Sequence, residues 1–288
     1  MRRCKVPAFY QSQKNKQSKM YLIYPKFGKR FAIWTILIIL GYCQHLNGQQ
    51  ISVMSYNIHH GANREEQLTL KEMGNFILDS QVDIIGLQEV DSVCHRSGSQ
   101  DQMRELSKIT GMEHTFARHF AYQGGAYGLG ILSKFPMKDI RNDRITSISS
   151  DGKRNTLALL SAKICLPNDQ ELIFATVHFA LDQPTRKIQA EEVLKYLDTH
   201  LPVILTGDLN AEPGTAEIGL FLEKFHCSHP PEKLTFPEIG PSKKIDYILF
   251  SKTSRPKIKW TKVYAENRLS DHLPIVAQVE LNPIYPQP

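Results

Sequence analysis

Eight short apolar runs, rich in Val, Ile, Leu and Thr, punctuate this chain and set what it can fold into. They are ISVMSYN (51–57), VDIIGLQEV (82–90), YGLGILS (127–133), TLALLSAKI (156–164), LIFATVHF (172–179), PVILTGD (202–208), KIDYILF (244–250) and PIVAQVEL (274–281). Runs this short with turn residues at their ends read as buried β-strands. Between them lie three segments of helical spacing. LTLKEMGNFILDS (68–80) repeats Leu70, Met73 and Ile77, a second helix spans Asp101 to Thr110 before Gly111, and PTRKIQAEEVLKYLDTHL (184–201) repeats Ile188, Val193, Leu194 and Leu197. Strands and helices are mixed without alternating strictly. That pattern predicts an α/β chain with two packed mixed sheets and helices outside them, in place of a doubly wound parallel sheet. It makes one domain over about residues 49–282.

The segment before that domain is different in kind. Residues 1–30 hold nine Lys/Arg and no Asp/Glu, and Phe31 to Cys43 (FAIWTILIILGYC) is uncharged and apolar. A basic stretch followed by a run too short to span a bilayer comfortably, which takes roughly 20 residues, is the layout of a secretory signal. Met20 offers an alternative start, Gly48 a cleavage point, and an uncleaved N-terminal anchor is the competing reading of residues 1–48. Either version places residues 49–288 outside the cytoplasm.

Setting the leader aside also changes the charge. The whole chain carries 35 Lys/Arg and 29 Asp/Glu, a formal +6, but residues 49–288 hold 26 basic against 29 acidic residues, a net −3. The high isoelectric point belongs to the leader, so the domain has no strong electrostatic signature for nucleic acid. Cys94, Cys165 and Cys227 allow one disulfide at most and form no Cys-x-x-Cys pair, which excludes a disulfide scaffold and a zinc module. A monomer is expected.

The polar residues that stand out sit where strands end: Asn57, Glu89, His178, Asp208 with Asn210, Asp246, and Asp271 with His272. Loops at strand ends, held by a rigid sheet, are the usual place for chemistry. Any one of these residues alone is more often a turn, a cap or a satisfied core group; their number and order argue against that explanation for all. The residue types suit phosphoryl transfer. Glu89, Asp271 and the amide oxygen of Asn57 offer a hard oxygen shell for Mg²⁺, with Mn²⁺ as a substitute, while no His-Glu-x-x-His or Cys/His cluster points to zinc. Asp208 is a candidate base for an attacking water. Asn210 falls on the same side if the strand continues, and His272, paired with a carboxylate such as Asp246, would stay cationic against phosphate.

SYNIHHG (55–61), GLQEV (86–90), ATVHF (175–179), GDLNAEPGT (207–215), KIDYILFS (244–251) and LSDHLP (269–274) together resemble the ordered motif set of the endonuclease/exonuclease/phosphatase superfamily, the deoxyribonuclease I-like fold. The match covers about residues 51–280 and is most similar to small exported bacterial members. The resemblance implies a four-layer α/β sandwich. It assigns Asn57, Glu89 and Asp271 to a metal site, Asp208 and Asn210 to water activation and phosphate binding, Asp246 to orienting a catalytic His272, and His178 to the catalytic set. In YGLGILS, Leu129 stands where the family often has Asn, which puts contacts made there in doubt.

The expected activity is hydrolysis of a phosphate ester, foremost a phosphodiester, by in-line attack of an activated water. The substrate is left open among a lipid headgroup, a soluble phosphodiester and nucleic acid. A scavenging nuclease is the alternative, although no dense Lys/Arg cluster with interleaved aromatics is present. A non-catalytic binding module would have lost some of these residues, and all are here.

Overall fold

The computed structural model describes residues 49–281 apart from 168 and 169; the leader expected over residues 1–48 lies outside them. In chain order the elements are β1 (Gln49–Asn57), α1 (Leu70–Ser80), β2 (Ile84–Ser92), α2 (Gln102–Thr110), β3 (Glu113–Tyr122), β4 (Gly125–Ser133), β5 (Met137–Ile148), β6 (Arg154–Cys165), β7 (Glu171–His178), α3 (Gln183–Tyr196), β8 (Val203–Asp208), α4 (Ala216–Lys224), β9 (Phe225–Cys227), β10 (Asp246–Ser251), β11 (Lys257–Val263) and β12 (Ile275–Leu281). They build two six-stranded sheets, ordered β11-β12-β1-β2-β4-β3 and β5-β6-β7-β8-β10-β9. Each sheet is antiparallel except for one central parallel pair, β1 with β2 and β7 with β8. Both parallel pairs come from a strand–helix–strand unit, so each sheet has its crossover helix on its outer face.

Strand alternation explains the layers. One face of each interior strand meets the other sheet, and the other face meets helices. Val53, Ile84, Ile131, Leu160, Phe174, Ile204, Ile248 and Val279 fill the space between the sheets. Met54, Tyr56, Ile85 and Leu87 point outward onto Met73, Ile77 and Leu106 of α1 and α2. Val177, Leu205 and Leu249 point outward onto Val193, Ile218 and Phe221 of α3 and α4. Strands buried on both faces read as continuous apolar runs, which is how eight of them stand out in the sequence.

The glycine inside VDIIGLQEV sits where the two sheets approach closely. A Cβ on Gly86 would lie 2.0 Å from Thr206 Oγ1 and 2.9 Å from Thr176 Oγ1. One step on, Gln88 Nε2 donates to Thr176 Oγ1 at 2.8 Å, tying the two sheets together just below the strand ends.

Capping residues fix the helices. Asp101 accepts from Arg104 N at 3.2 Å, and Gly111, at φ 70°, ends α2 where expected. Asp182 accepts from Thr185 N at 3.0 Å at the start of α3. That helix ends at Tyr196, short of the expected residue 201. Pro202 restricts Leu201 to an extended conformation, and Thr199 Oγ1 takes the Leu201 N–H at 3.3 Å, so the chain must leave the helix early to enter β8. The cysteines Cys94, Cys165 and Cys227 are all free.

Candidate active site

The two parallel pairs end at the same edge of the sandwich. Asn57 closes β1, and Glu89 lies near the end of β2. In the other sheet His178 closes β7 opposite Asp208, which closes β8, and Asp208 pairs in register with Asp246 at the start of β10. The segment before β12 brings Asp271 and His272 to this edge. Ser270 Oγ donates to Asn57 O at 2.8 Å and thereby locks that segment onto the end of β1. Glu89, His178, Asp208, Asn210, Asp271 and His272 all open onto one cleft of about 550 Å³. Asn57 and Asp246 are buried behind it. All eight residues singled out from the sequence therefore meet at one place.

Two of them reach it through left-handed backbone. A bulge in β2, where the register with β4 shifts between Leu87 and Val90, holds Glu89 at φ 58°. Bulges re-aim side chains in this way. Asn210 has φ 46°, so it reaches the side of Asp208 by a turn and not by continuation of the strand as expected. The turn is closed by Asn210 N donating to Asp208 Oδ1 at 2.9 Å. Non-glycine residues in this conformation are strained and concentrate at functional sites.

The hydrogen bonds give each group a defined partner. Asn57 Nδ2 donates to Glu89 Oε1 at 3.0 Å and to Asp208 Oδ2 at 3.1 Å. Its oxygen, expected to face a metal, instead accepts from His59 N at 3.0 Å. Asn57 thus ties the two carboxylates together through its nitrogen. Asn210 Nδ2 lies 2.9 Å from Phe179 O and 3.2 Å from His178 Nε2, so both of its donors are engaged before any phosphate arrives. His272 has a carboxylate at each nitrogen: Asp246 Oδ2 at 3.0 Å from Nδ1 and Asp208 Oδ2 at 3.6 Å from Nε2. The ring of Phe236 covers it at 4.6 Å.

Burial and charge set the protonation. Burial alone would lower the pKa of His272, but Asp246 and Asp208 overcome that and push it up to about 10. The Asp246 carboxyl is raised by its own burial and by Asp208, against the pull of His272. Burial would also raise Glu89, yet His178, the Asn57 amide, His272 and His59 hold it below the usual carboxylate range. His272 is consequently an imidazolium at neutral pH.

His59 was not among the residues expected from the sequence, although it stands in SYNIHHG directly after the strand. Its Nδ1 lies 3.5 Å from Asp271 Oδ1 and 3.8 Å from Glu89 Oε2. Glu89 and Asp271 thus both face His59 Nδ1, and as hard, anionic oxygen donors at the cleft rim they fit a divalent cation such as Mg²⁺. The cleft also holds Arg186 and Lys243. Arg186 is anchored by Glu217 at 2.7 Å. Of the two lysines in SKKIDY only Lys243 reaches the cleft; Lys244 is buried and donates to His229 O at 2.7 Å. Gln189 is a buried strut, accepting from Ala180 N at 2.9 Å and donating to Thr146 O at 2.8 Å.

Comparison with known proteins identifies the fold and the family. The chain is 26% identical over 253 residues to the uncharacterized protein YbhP of Shigella flexneri, covering 81% of this chain and 98% of that one. Its fold resembles the human Nocturnin catalytic domain with bound sulfate anion, with TM-score 0.65, 21% identity and coverage of 81% and 95%. It also resembles the mannosyl-6-phosphatase Bt3783 of Bacteroides thetaiotaomicron VPI-5482, with TM-score 0.63, 18% identity and coverage of 80% and 99%. The sequence profile of the Endonuclease/Exonuclease/phosphatase family matches residues 54–272, a span that contains every residue of the cleft described above. The chain belongs to the endonuclease/exonuclease/phosphatase family.

Proposed function

We propose that this protein is an exported, Mg²⁺-dependent phosphodiesterase that hydrolyses a small or headgroup-sized phosphate ester. The observation that carries the reading is His272 held between two carboxylates. Both of its nitrogens face an acceptor, so both hold protons, and an imidazolium has no lone pair with which to act as a base. Asp208, at the other end of that contact, is left as the group that takes the proton of an attacking water.

The roles follow from position. As the water oxygen bonds to phosphorus, its proton passes to Asp208, and the ester P–O bond opposite breaks; the departing alkoxide takes a proton from solvent to leave as the alcohol, and Asp208 returns its proton to solvent. His272, fixed by Asp246, faces the negative charge that builds on the phosphate oxygens. His178 and Asn210 sit on the same wall, where release of their mutual contact frees the amide to donate to phosphate. Glu89 and Asp271 would hold the Mg²⁺, and Asn57 keeps Glu89 aligned with Asp208. The bound cation would add charge neutralisation at the phosphate oxygens.

The size of the cleft supports a small ester over a polymer, since about 550 Å³ lies within the range of sites for small molecules. The net charge of −3 over residues 49–288 points the same way. The basic, apolar leader supports export. The test is turnover by the purified protein, with Mg²⁺, of a chromogenic bis-ester, the matching mono-ester, sphingomyelin, inositol phosphates, DNA and RNA. Hydrolysis of small or lipid diesters above all others is expected, and preference for DNA or RNA would replace this reading with a nuclease.

A further inference from the structure

One cluster of ligand-bearing side chains lies beside the cleft, and two of its members, His60 and Glu66, have no part in the chemistry above. After β1 the backbone turns through three successive left-handed residues, His59 (φ 42°), His60 (φ 47°) and Gly61 (φ 77°). This turn brings both imidazoles to one carboxylate. His59 Nε2 lies 3.1 Å from Glu66 Oε1, and His60 Nε2 lies 2.9 Å from Glu66 Oε2. The three groups bring their ligand atoms within 4.8 Å of one another. We propose that His59, His60 and Glu66 form a second divalent-cation site, selective for a zinc-like ion and separate from the Glu89 and Asp271 carboxylates.

Glu66 faces the Nε2 of His59, while Asp271 and Glu89 face its Nδ1 at 3.5 and 3.8 Å. An ion on Nε2 leaves Nδ1–H directed at Asp271 and Glu89. A carboxylate behind the far nitrogen is the usual support for a metal-bound histidine, because it fixes the tautomer and raises the basicity of the ligand nitrogen. This support comes from outside the cluster, from residues on other elements.

The donor set selects the ion. Two imidazole nitrogens and one carboxylate suit zinc and its neighbours, whereas Mg²⁺ prefers oxygen alone. A tetrahedral ion with bonds of ~2.0–2.2 Å keeps adjacent ligand atoms roughly 3.3 Å apart. With one ligand atom from each residue, the three lie within 4.8 Å of one another, so a small closing movement reaches that spacing. His60 is buried, its ring lies 4.3 Å from that of His59, and its remaining nitrogen, Nδ1, has no hydrogen-bond partner. The Glu66 side chain is 65% exposed, which leaves the outer face of the site open for water to complete the shell. The His59 ring would then join the two centres, with its Nε2 on the ion and its Nδ1 on the cleft carboxylates.

Zinc titration calorimetry on purified Glu89→Gln protein tests this with one cleft ligand removed, and Co²⁺ absorption in the visible gives a second readout. One equivalent of Zn²⁺ should bind, and adding Glu66→Gln or His60→Gln should weaken it at least 10-fold. Glu66 is on the surface, so its change leaves the fold intact, as circular dichroism will show. Absence of zinc binding in the Glu89→Gln protein, or equal affinity in both double variants, would overturn the site. Neither readout involves turnover, so the outcome is independent of whether the cleft hydrolyses phosphate esters.

Discussion

Replacing Asp246 by Asn probes the charge relationship at the floor of the cleft. The side chain keeps its size and can still accept the proton of His272 Nδ1, now 3.0 Å away, but its negative charge is gone. Without that charge the pKa of His272 falls. Burial is the largest influence on this ring and acts to lower its pKa; Asp246 is the largest of those that raise it to about 10. The sign follows directly. A histidine with a raised pKa is charged below it and loses that charge as pH rises through it. Wild-type activity should therefore hold through neutrality and fall only toward pH ~10, as the imidazolium deprotonates. In the variant the same fall should move to lower pH. At pH ~8 the loss of a preorganised cationic donor should lower kcat on the order of 10²–10³-fold with a small change in KM, and part of the loss should return on acidification. The assay is kcat against pH for both proteins, with the His272 imidazole resonance followed by NMR. An alkaline limb at the same pH in both proteins would refute the reasoning, as would a loss that does not depend on pH.

Three further outcomes are expected. Glu89→Gln should raise the Mg²⁺ concentration for half-maximal activity by at least ~10-fold while circular dichroism stays native, and an unchanged Mg²⁺ titration would remove Glu89 from the metal site. Gly86→Ala places a methyl group 2.0 Å from Thr206 Oγ1 between the sheets, so it should destabilise the fold by about 1–3 kcal/mol in urea unfolding, with a wild-type midpoint as the contrary result. Protein recovered from the native host should begin near Gln49 on N-terminal sequencing, and a soluble cytoplasmic form retaining residues 1–48 would contradict export.

The interior of the fold was legible in the sequence and its rim was not. All eight apolar runs are interior strands of the two sheets. The four strands that went unread, β3, β5, β9 and β11, are the four sheet edges. Edges are half solvated and kept from aggregating by charge, so β5 reads MKDIRNDRITSI and β11 reads KIKWTKV, with no apolar run to find. α4 was also unread: AEIGLFLEK is short, and its apolar face shows only once the outer surface of the second sheet is there to cover it. The site divides similarly. Residue types at strand ends identified eight converging groups, but not how they converge. The bulge that aims Glu89 and the turn that aims Asn210 depend on backbone conformation, which strand periodicity does not encode. The reversal of the Asn57 amide depends on the His59 N–H, and the burial of Lys244 on the carbonyls of His229 and Pro230 in the preceding loop.

The most direct test of the proposed chemistry is hydrolysis of a chromogenic phosphodiester by chelator-treated protein, measured before and after Mg²⁺ addition, for wild type and Asp208→Asn. Wild type should be inactive until Mg²⁺ is added. Folded Asp208→Asn should bind the ester with similar KM and show a kcat lower by about 10²–10⁴-fold, the contribution expected of a general base. Full activity in excess chelator, or near-normal turnover by Asp208→Asn, would contradict a metal-dependent phosphodiesterase with Asp208 as its base.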